Sequence, residues 1–272
     1  PASPFVWLSL FALLYLGALG FADDFLKVRR RKSDGVNGRV KLAAQFLLAA
    51  LVTAFFVFNP DPQIAEQAQT LYVPFFKLPV LTGLGILTLV FFAIVIVGTS
   101  NAVNLTDGLD GLAAGCTAMV AFAYAVLCYV AGNVKIANYL QVPYSPWSAE
   151  LTVLCMALAG AALGFLWFNC HPARVFMGDT GSLAIGGVIG VVSICCKQEI
   201  LLVLVGGVFV MEALSVILQV AVFKLTSKRI FAMSPIHHHF ELKGWKENTV
   251  IVRFWILGIM FALRGLATLK LR

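Results

Sequence analysis

The sequence predicts an all-α fold, a polytopic transmembrane helical bundle of about eight spans with an active-site cleft facing the cytoplasm. Three observations predict it. Hydrophobic residues make up 60% of the 272 residues and charged residues only 12%, with a mean hydropathy of +0.91; a soluble domain is about 45–50% apolar. Apolar runs of about 20 residues, enough to cross a hydrocarbon core of about 30 Å, recur along the chain. The charged residues that remain gather in the connections, most of them on alternate ones.

Spans are expected near 4–22, 42–58, 79–99, 112–131, 150–168, 182–197, 200–222 and 250–268. The first is too long for a signal peptide and lacks its basic start and small-residue cleavage site, so it reads as a spanning helix. The third and fourth flank a polar stretch at 100–111, the fifth and sixth another at 169–181, and the last two a third at 223–249. The sixth is short and rich in glycine, which suits a helix tilted or packed closely on its neighbours. No internal repeat or low-complexity tract divides the chain, so 1–272 is expected to be one transmembrane domain.

Loops 23–41, 100–111, 169–181 and 223–249 hold most of the Lys and Arg, which assigns them to the cytoplasm. Asp23, Asp24, Asp107, Asp110, Asp179 and Glu241 lie on the same side, so the chemistry is expected there. Tyr72, Phe75, Phe76, Tyr139, Tyr144 and Trp147 fall in the opposite loops and suit an interfacial belt. The net charge of +7 reflects these orienting loops; no basic stripe interleaved with aromatics appears, which argues against nucleic acid as a partner. The six cysteines lie mostly in apolar runs without metal-ligand spacing and read as packing residues.

Four motifs occupy the predicted cytoplasmic face. Asp23-Asp24-Phe25-Leu26-Lys27 sets two carboxylates side by side at a membrane boundary, where they can hold a hard cation, supply a base, or simply neutralise the basic residues that follow. In 101–111, Asn104, Asp107 and Asp110 recur every three residues, which on a helix aligns them on one face as oxygen ligands and donors. In 169–182, Gly178-Asp179-Thr180-Gly181-Ser182 offers a carboxylate, hydroxyls and backbone N–H groups at a helix start, a setting for magnesium and phosphate or for an ordinary N-cap. In 234–245, three successive imidazoles cannot all face one way, so a zinc site made of them is geometrically poor and contact with phosphate or a carboxylate fits better. Arg253 is expected to snorkel from the last span, and Glu212 to face a polar cavity or a buried hydrogen bond.

Taken together, Asp23-Asp24, Asn101 to Gly111 (NAVNLTDGLDG), Phe176 to Ser182 (FMGDTGS) and Pro235 to Trp245 (PIHHHFELKGW) resemble the polyprenyl-phosphate N-acetylhexosamine-1-phosphate transferases. The His-bearing segment is the mark of the muramoyl-pentapeptide branch. The resemblance covers nearly the whole chain. Members normally have ten spans with both termini outside, so it implies that this chain begins just ahead of the third, without a lysine-bearing loop that helps bind the nucleotide sugar.

The resemblance implies transfer of phospho-MurNAc-pentapeptide from UDP to undecaprenyl phosphate in the bacterial inner membrane, giving lipid I and UMP with magnesium. Asp23, Asp24, Asp179 and His237 are its implied catalytic residues, with Asp179 the magnesium ligand. Lys41 is an anion partner, and Asn104, Asp107, Asp110, Asn169 and Phe176 match nucleotide-side positions, Phe176 offering a ring to uracil. His238 and His239 join His237 in holding sugar or phosphates. The partners implied are UDP-MurNAc-pentapeptide and undecaprenyl phosphate, and the family reading admits a homodimer and other cell-wall enzymes. Direct attack by the lipid phosphate is preferred to a covalent intermediate, because a phosphate oxyanion is already a nucleophile. The rivals are a GlcNAc-1-phosphate transferase, which would lack the His segment, and a transporter, which would set its charges near the midplane between inverted repeats.

Overall fold

The computed structural model describes residues 3–32 and 34–270. Its helices are α1 (Pro4–Arg30), α2 (Gly38–Val57), α3 (Pro62–Ala68), α4 (Leu87–Thr106), α5 (Leu112–Gly132), α6 (Val134–Leu140), α7 (Leu151–Asn169), α8 (Gly178–Cys195), α9 (Leu201–Val205), α10 (Gly207–Thr226), α11 (Ile236–Leu242) and α12 (Glu247–Ala267). Among the described residues eight helices are long and apolar enough to cross a membrane: α1, α2, α4, α5, α7, α8, α10 and α12. The only β pairing described is an isolated bridge between Leu71 and Leu81.

Local chemistry explains the ends that matter. Pro4 sits in the first turn of α1, where its missing N–H has no helical partner to lose, and Lys27, Arg29 and Arg30 occupy the last turn, favourable to the helix dipole. Asn37 starts α2 by accepting a hydrogen bond from the Arg39 N–H with its side chain.

Several boundaries differ from the sequence expectation, the first helix among them: it runs past 22 to Arg30 and carries Asp23 and Asp24. The third span begins at Leu87, not near 79, because the Leu71–Leu81 bridge and positive φ at Gly83 and Gly85 turn the chain back on itself first. It therefore runs on to Thr106 and takes Asn101 and Asn104 into its last turns. The run 200–222 is interrupted at Gly206, which ends α9, and Gly207 opens α10 against the Phe261 ring, with no room for a Cβ. The sixth span starts at Gly178, so Asp179 and Ser182 lie on the helix itself.

α5 and α8 are the most enclosed spans, 78% and 72% buried against 22% for α7, which makes them the centre of the bundle. α8 packs on α1 and α4, α5 on α7 and α12, and α4 also receives α2 and α10. Small residues allow the closest approaches: a Cβ at Gly20 of α1 would collide with the Asp179 carbonyl, and one at Gly186 of α8 with the Thr99 carbonyl of α4. α8 thus joins the three helices that carry the acidic motifs, packing on both α1 and α4.

At the far end of α8, the turn over 195–199 is enclosed. Lys197 and Glu199 pair at 2.7 Å with almost no exposure, Tyr124 donates to the Gln198 carbonyl, and Ser145 to that of Cys195. All six cysteines are free thiols, and Cys170 alone among them is exposed.

Candidate active site

Adjacent residues on a helix diverge by about 100°, and Asp23 and Asp24 accordingly serve different neighbours. Asp23 is fully buried; it accepts from the Val36 N–H at 2.7 Å and pairs with Lys27 at 2.5 Å and Lys41 at 3.2 Å. Asp24 caps the start of α8 from outside, accepting from the Thr180 N–H at 2.9 Å, the Thr180 hydroxyl at 2.7 Å and the Asp179 N–H at 3.3 Å. A carboxylate satisfies orphan N–H groups there and meets the positive end of the dipole. Gly178 takes φ +63°, and a Cβ on it would press on the Asp24 carboxylate.

Asp179 stands between these groups. Its Oδ2 lies 3.0 Å from Lys41 and 3.4 Å from Lys27, and its Oδ1 accepts from the Asn104 amide at 2.9 Å. The same amide reaches the Ser182 hydroxyl at 2.8 Å. One oxygen each of Asp23, Asp24 and Asp179 lies within 4.8 Å of the others. Three carboxylates so close repel unless cations intervene, and here Lys27 and Lys41 supply the positive charge. The donor set is oxygen throughout and anionic, which fits a hard divalent cation. Asp23, Lys27 and Lys41 of this cluster wall an open cleft of about 890 Å³ between the ends of α1 and α2, lined also by Arg30, Asp34 and Asn37.

Asn104, Asp107 and Asp110 do not share a helix face as their spacing suggested. The helix stops at Thr106 and Asp107 caps it, while Gly111, at φ +79°, starts α5. The intervening turn leaves Asn104 and Asp107 at the start of α8 and sends Asp110 elsewhere. Asp107 accepts from the Gly178 N–H, and burial pushes its carboxyl up to about 7, with the negative charges of Asp179 and Asp24 adding to the effect. Asp110 accepts from the Ala173 N–H at 2.9 Å and lies 3.2 Å from His171, which lies 3.3 Å from Glu247. Glu247 also accepts from the Asp110 N–H. Asn169 is buried and uses both ends of its amide on backbone, accepting from Gly111 N–H and donating to the Val175 carbonyl. It ties the two loops together. Phe176 is 74% exposed, so its ring is open to stacking.

The three imidazoles divide sharply. His239 accepts from the Ala232 N–H at 3.0 Å, in a loop that Gln219 of α10 holds through Ile230 and Phe231. His238 is partly exposed, with Nδ1 2.7 Å from Glu241. His237, expected to be catalytic, is wholly enclosed beside Glu212 and Gly108. α11 is fastened to α12 by Phe240 stacking on Trp245 and by Arg253 over the Trp245 ring at 4.0 Å.

Two residues of these clusters had no site role in the sequence, Lys27 and Glu247. Lys27 carried a signal, being three and four residues from the two aspartates on one helix. Glu247 carried none, since it meets Asp110 across 137 residues of chain.

A sequence model of glycosyl transferase family 4 matches residues 6–197. Over its whole length the chain is 55% identical to a protein of Methylacidiphilum infernorum (isolate V4) named phospho-N-acetylmuramoyl-pentapeptide-transferase, of which it covers 74%. The family match takes in the three acidic motifs and ends before α10 and the histidine helix.

Proposed function

The chain belongs to glycosyl transferase family 4, and we propose that it transfers phospho-N-acetylmuramoyl-pentapeptide from UDP to undecaprenyl phosphate at the cytoplasmic face of a bacterial inner membrane. The products are lipid I and UMP. One observation carries the chemistry: Asp23, Asp24, Asp179, Lys27 and Lys41 converge where three packed helices end. Phosphoryl transfer is mainly a matter of positioning and of screening charge, and this cluster offers both. The muramoyl donor is supported by the relative's name and by the histidine helix, which lies outside the family match.

An oxygen of the lipid phosphate attacks the sugar-bearing phosphorus of the donor. The bond from that phosphorus to the UMP oxygen breaks, and UMP leaves as the anion. Asp23, Asp24 and Asp179 are the residues we assign to hold magnesium; when bound, the ion supplies positive charge to the diphosphate and the departing UMP. Lys27 and Lys41 are the groups we assign to the phosphate oxygens, supported by ammoniums that already neutralise three carboxylates. Asn104 orients Asp179, and Phe176 is the platform for the uracil. Asp107, Asp110 and His238 form the donor side around the turn.

The test is UMP release by the protein in detergent or bilayer with undecaprenyl phosphate and either UDP-MurNAc-pentapeptide or UDP-GlcNAc. Magnesium-dependent release with the muramoyl donor is expected. Lipid product from UDP-GlcNAc alone would overturn the donor, and solute flux without UMP release would overturn the transferase reading.

A further inference from the structure

Of the two buried ionisable pairs that the reaction above does not use, Lys197–Glu199 and Glu212–His237, the second lies beside the site. Glu212 of α10 and His237 of α11 both have 0% exposure, and His237 Nδ1 lies 3.0 Å from Glu212 Oε2. The two are close enough to attract but out of line for a straight hydrogen bond, and neither the carboxylate oxygens nor the ring nitrogens have another partner. A charge or a bare polar group enclosed in an apolar span costs several kcal/mol unless a neighbour compensates it. Among the described residues, each is therefore the only charge compensation the other has.

The far side of the imidazole meets the donor side of the site. A Cβ on Gly108 would run into His237 Nε2, and the next nearest ring is that of His238. The His237 and His238 rings lie 4.2 Å apart. Gly108 sits between Asp107 and Leu109 in the turn that ends at Asp110, so His237 is wedged behind that turn and beside His238.

Resting on the transferase reading, we propose that Glu212 is a positioning residue: through His237 it holds the Asp107–Asp110 turn and His238 in place to receive the uridine nucleotide. It touches no substrate. Its removal should loosen donor binding and leave the Asp23-Asp24-Asp179 cluster intact, since the hydrogen bonds and ion pairs that hold that cluster come from α1, α2, α4, α8 and the loop before α2.

The experiment compares wild type with Glu212→Ala and Glu212→Gln, measuring UMP affinity by calorimetry and KM for each substrate. Glu212→Ala should weaken UMP binding about tenfold and raise donor KM comparably, with KM for undecaprenyl phosphate unchanged. Glu212→Gln, which keeps the length and a hydrogen-bonding oxygen, should stay within about threefold of wild type. Should the alanine variant fail to fold, Gly108→Ala displaces His237 from the other side and should give the same donor-selective loss. Unchanged UMP affinity in Glu212→Ala, or equal loss for both substrates, would overturn the proposal. UMP affinity is read without turnover, so a wild type that binds UMP yet uses another sugar donor would overturn only the donor assignment.

Discussion

At the scale of single residues the site is a set of carboxylates whose surroundings give each a different task. Asp179 is the one shared by both lysines and by Asn104, so Asp179→Asn should lower transfer on the order of a hundredfold or more while leaving insertion intact, because it removes charge and keeps shape. UMP release by the purified variant measures this, and near-normal turnover at ordinary magnesium would refute the assignment. Asp107 makes a different prediction. Burial raises its folded pKa from 3.8 to about 7, so within that window the native chain retains a proton that the unfolded chain releases. The contribution to stability is level below pH about 4, declines as pH rises toward 7, and is level again above it. Asp107→Asn should flatten the fall in melting temperature between pH 5 and 7; an unaltered slope would assign that fall to other groups. Sequence alone pairs Asp23 with Asp24 as equals. Only the fold separates them, since which faces the lysines and which caps α8 depends on a helix more than 150 residues away.

At the scale of elements, the apolar runs were legible because each must match a bilayer thickness, and all eight are present. Their ends were less so. Hydropathy continues smoothly from Leu78 into the third span, whereas the bridge at Leu81 and the left-handed glycines that delay the helix depend on pairing and backbone conformation. The same limit explains why Asn104, Asp107 and Asp110 looked like one helix face: a three-residue spacing is blind to a helix that stops after the first. α8 is the element on which the site depends, and its contact with α1 requires Gly20. Gly20→Ala should force the helices apart, pull Asp24 from the α8 N-terminus, and cost about 1–3 kcal/mol with a parallel loss of activity. Gly98→Ala on α4 meets nothing within 4 Å and serves as the control, its melting temperature and turnover unchanged. Equal behaviour of the two variants would show that close α1–α8 contact does not set the site.

At the scale of the molecule, the bundle answers to two solvents, and most of its charged groups gather where helix ends meet. That confinement was visible in the sequence as charge gathered in alternate loops, whereas the buried Glu212–His237 and Lys197–Glu199 pairs were not, because each is defined by what encloses it. The convergence of α1, α2 and α8 on one carboxylate cluster also couples local binding to global stability. Magnesium taken up by Asp23, Asp24 and Asp179 would bind the folded bundle and not the unfolded chain, whose aspartates are far apart. It should therefore raise the melting temperature in a saturable way, by a free energy of about 2.7 kcal/mol at a concentration one hundred times its dissociation constant. EDTA should reverse the shift. Asp179→Asn should abolish it, whereas Asp110→Asn, in the separate cluster with His171 and Glu247, should retain it. Thermal melts in detergent across a magnesium series measure all three, with sodium chloride at matched ionic strength as the control for screening. A shift that persists in Asp179→Asn, or that the salt control reproduces, would mean that the lysines alone neutralise the cluster and that the cation acts elsewhere.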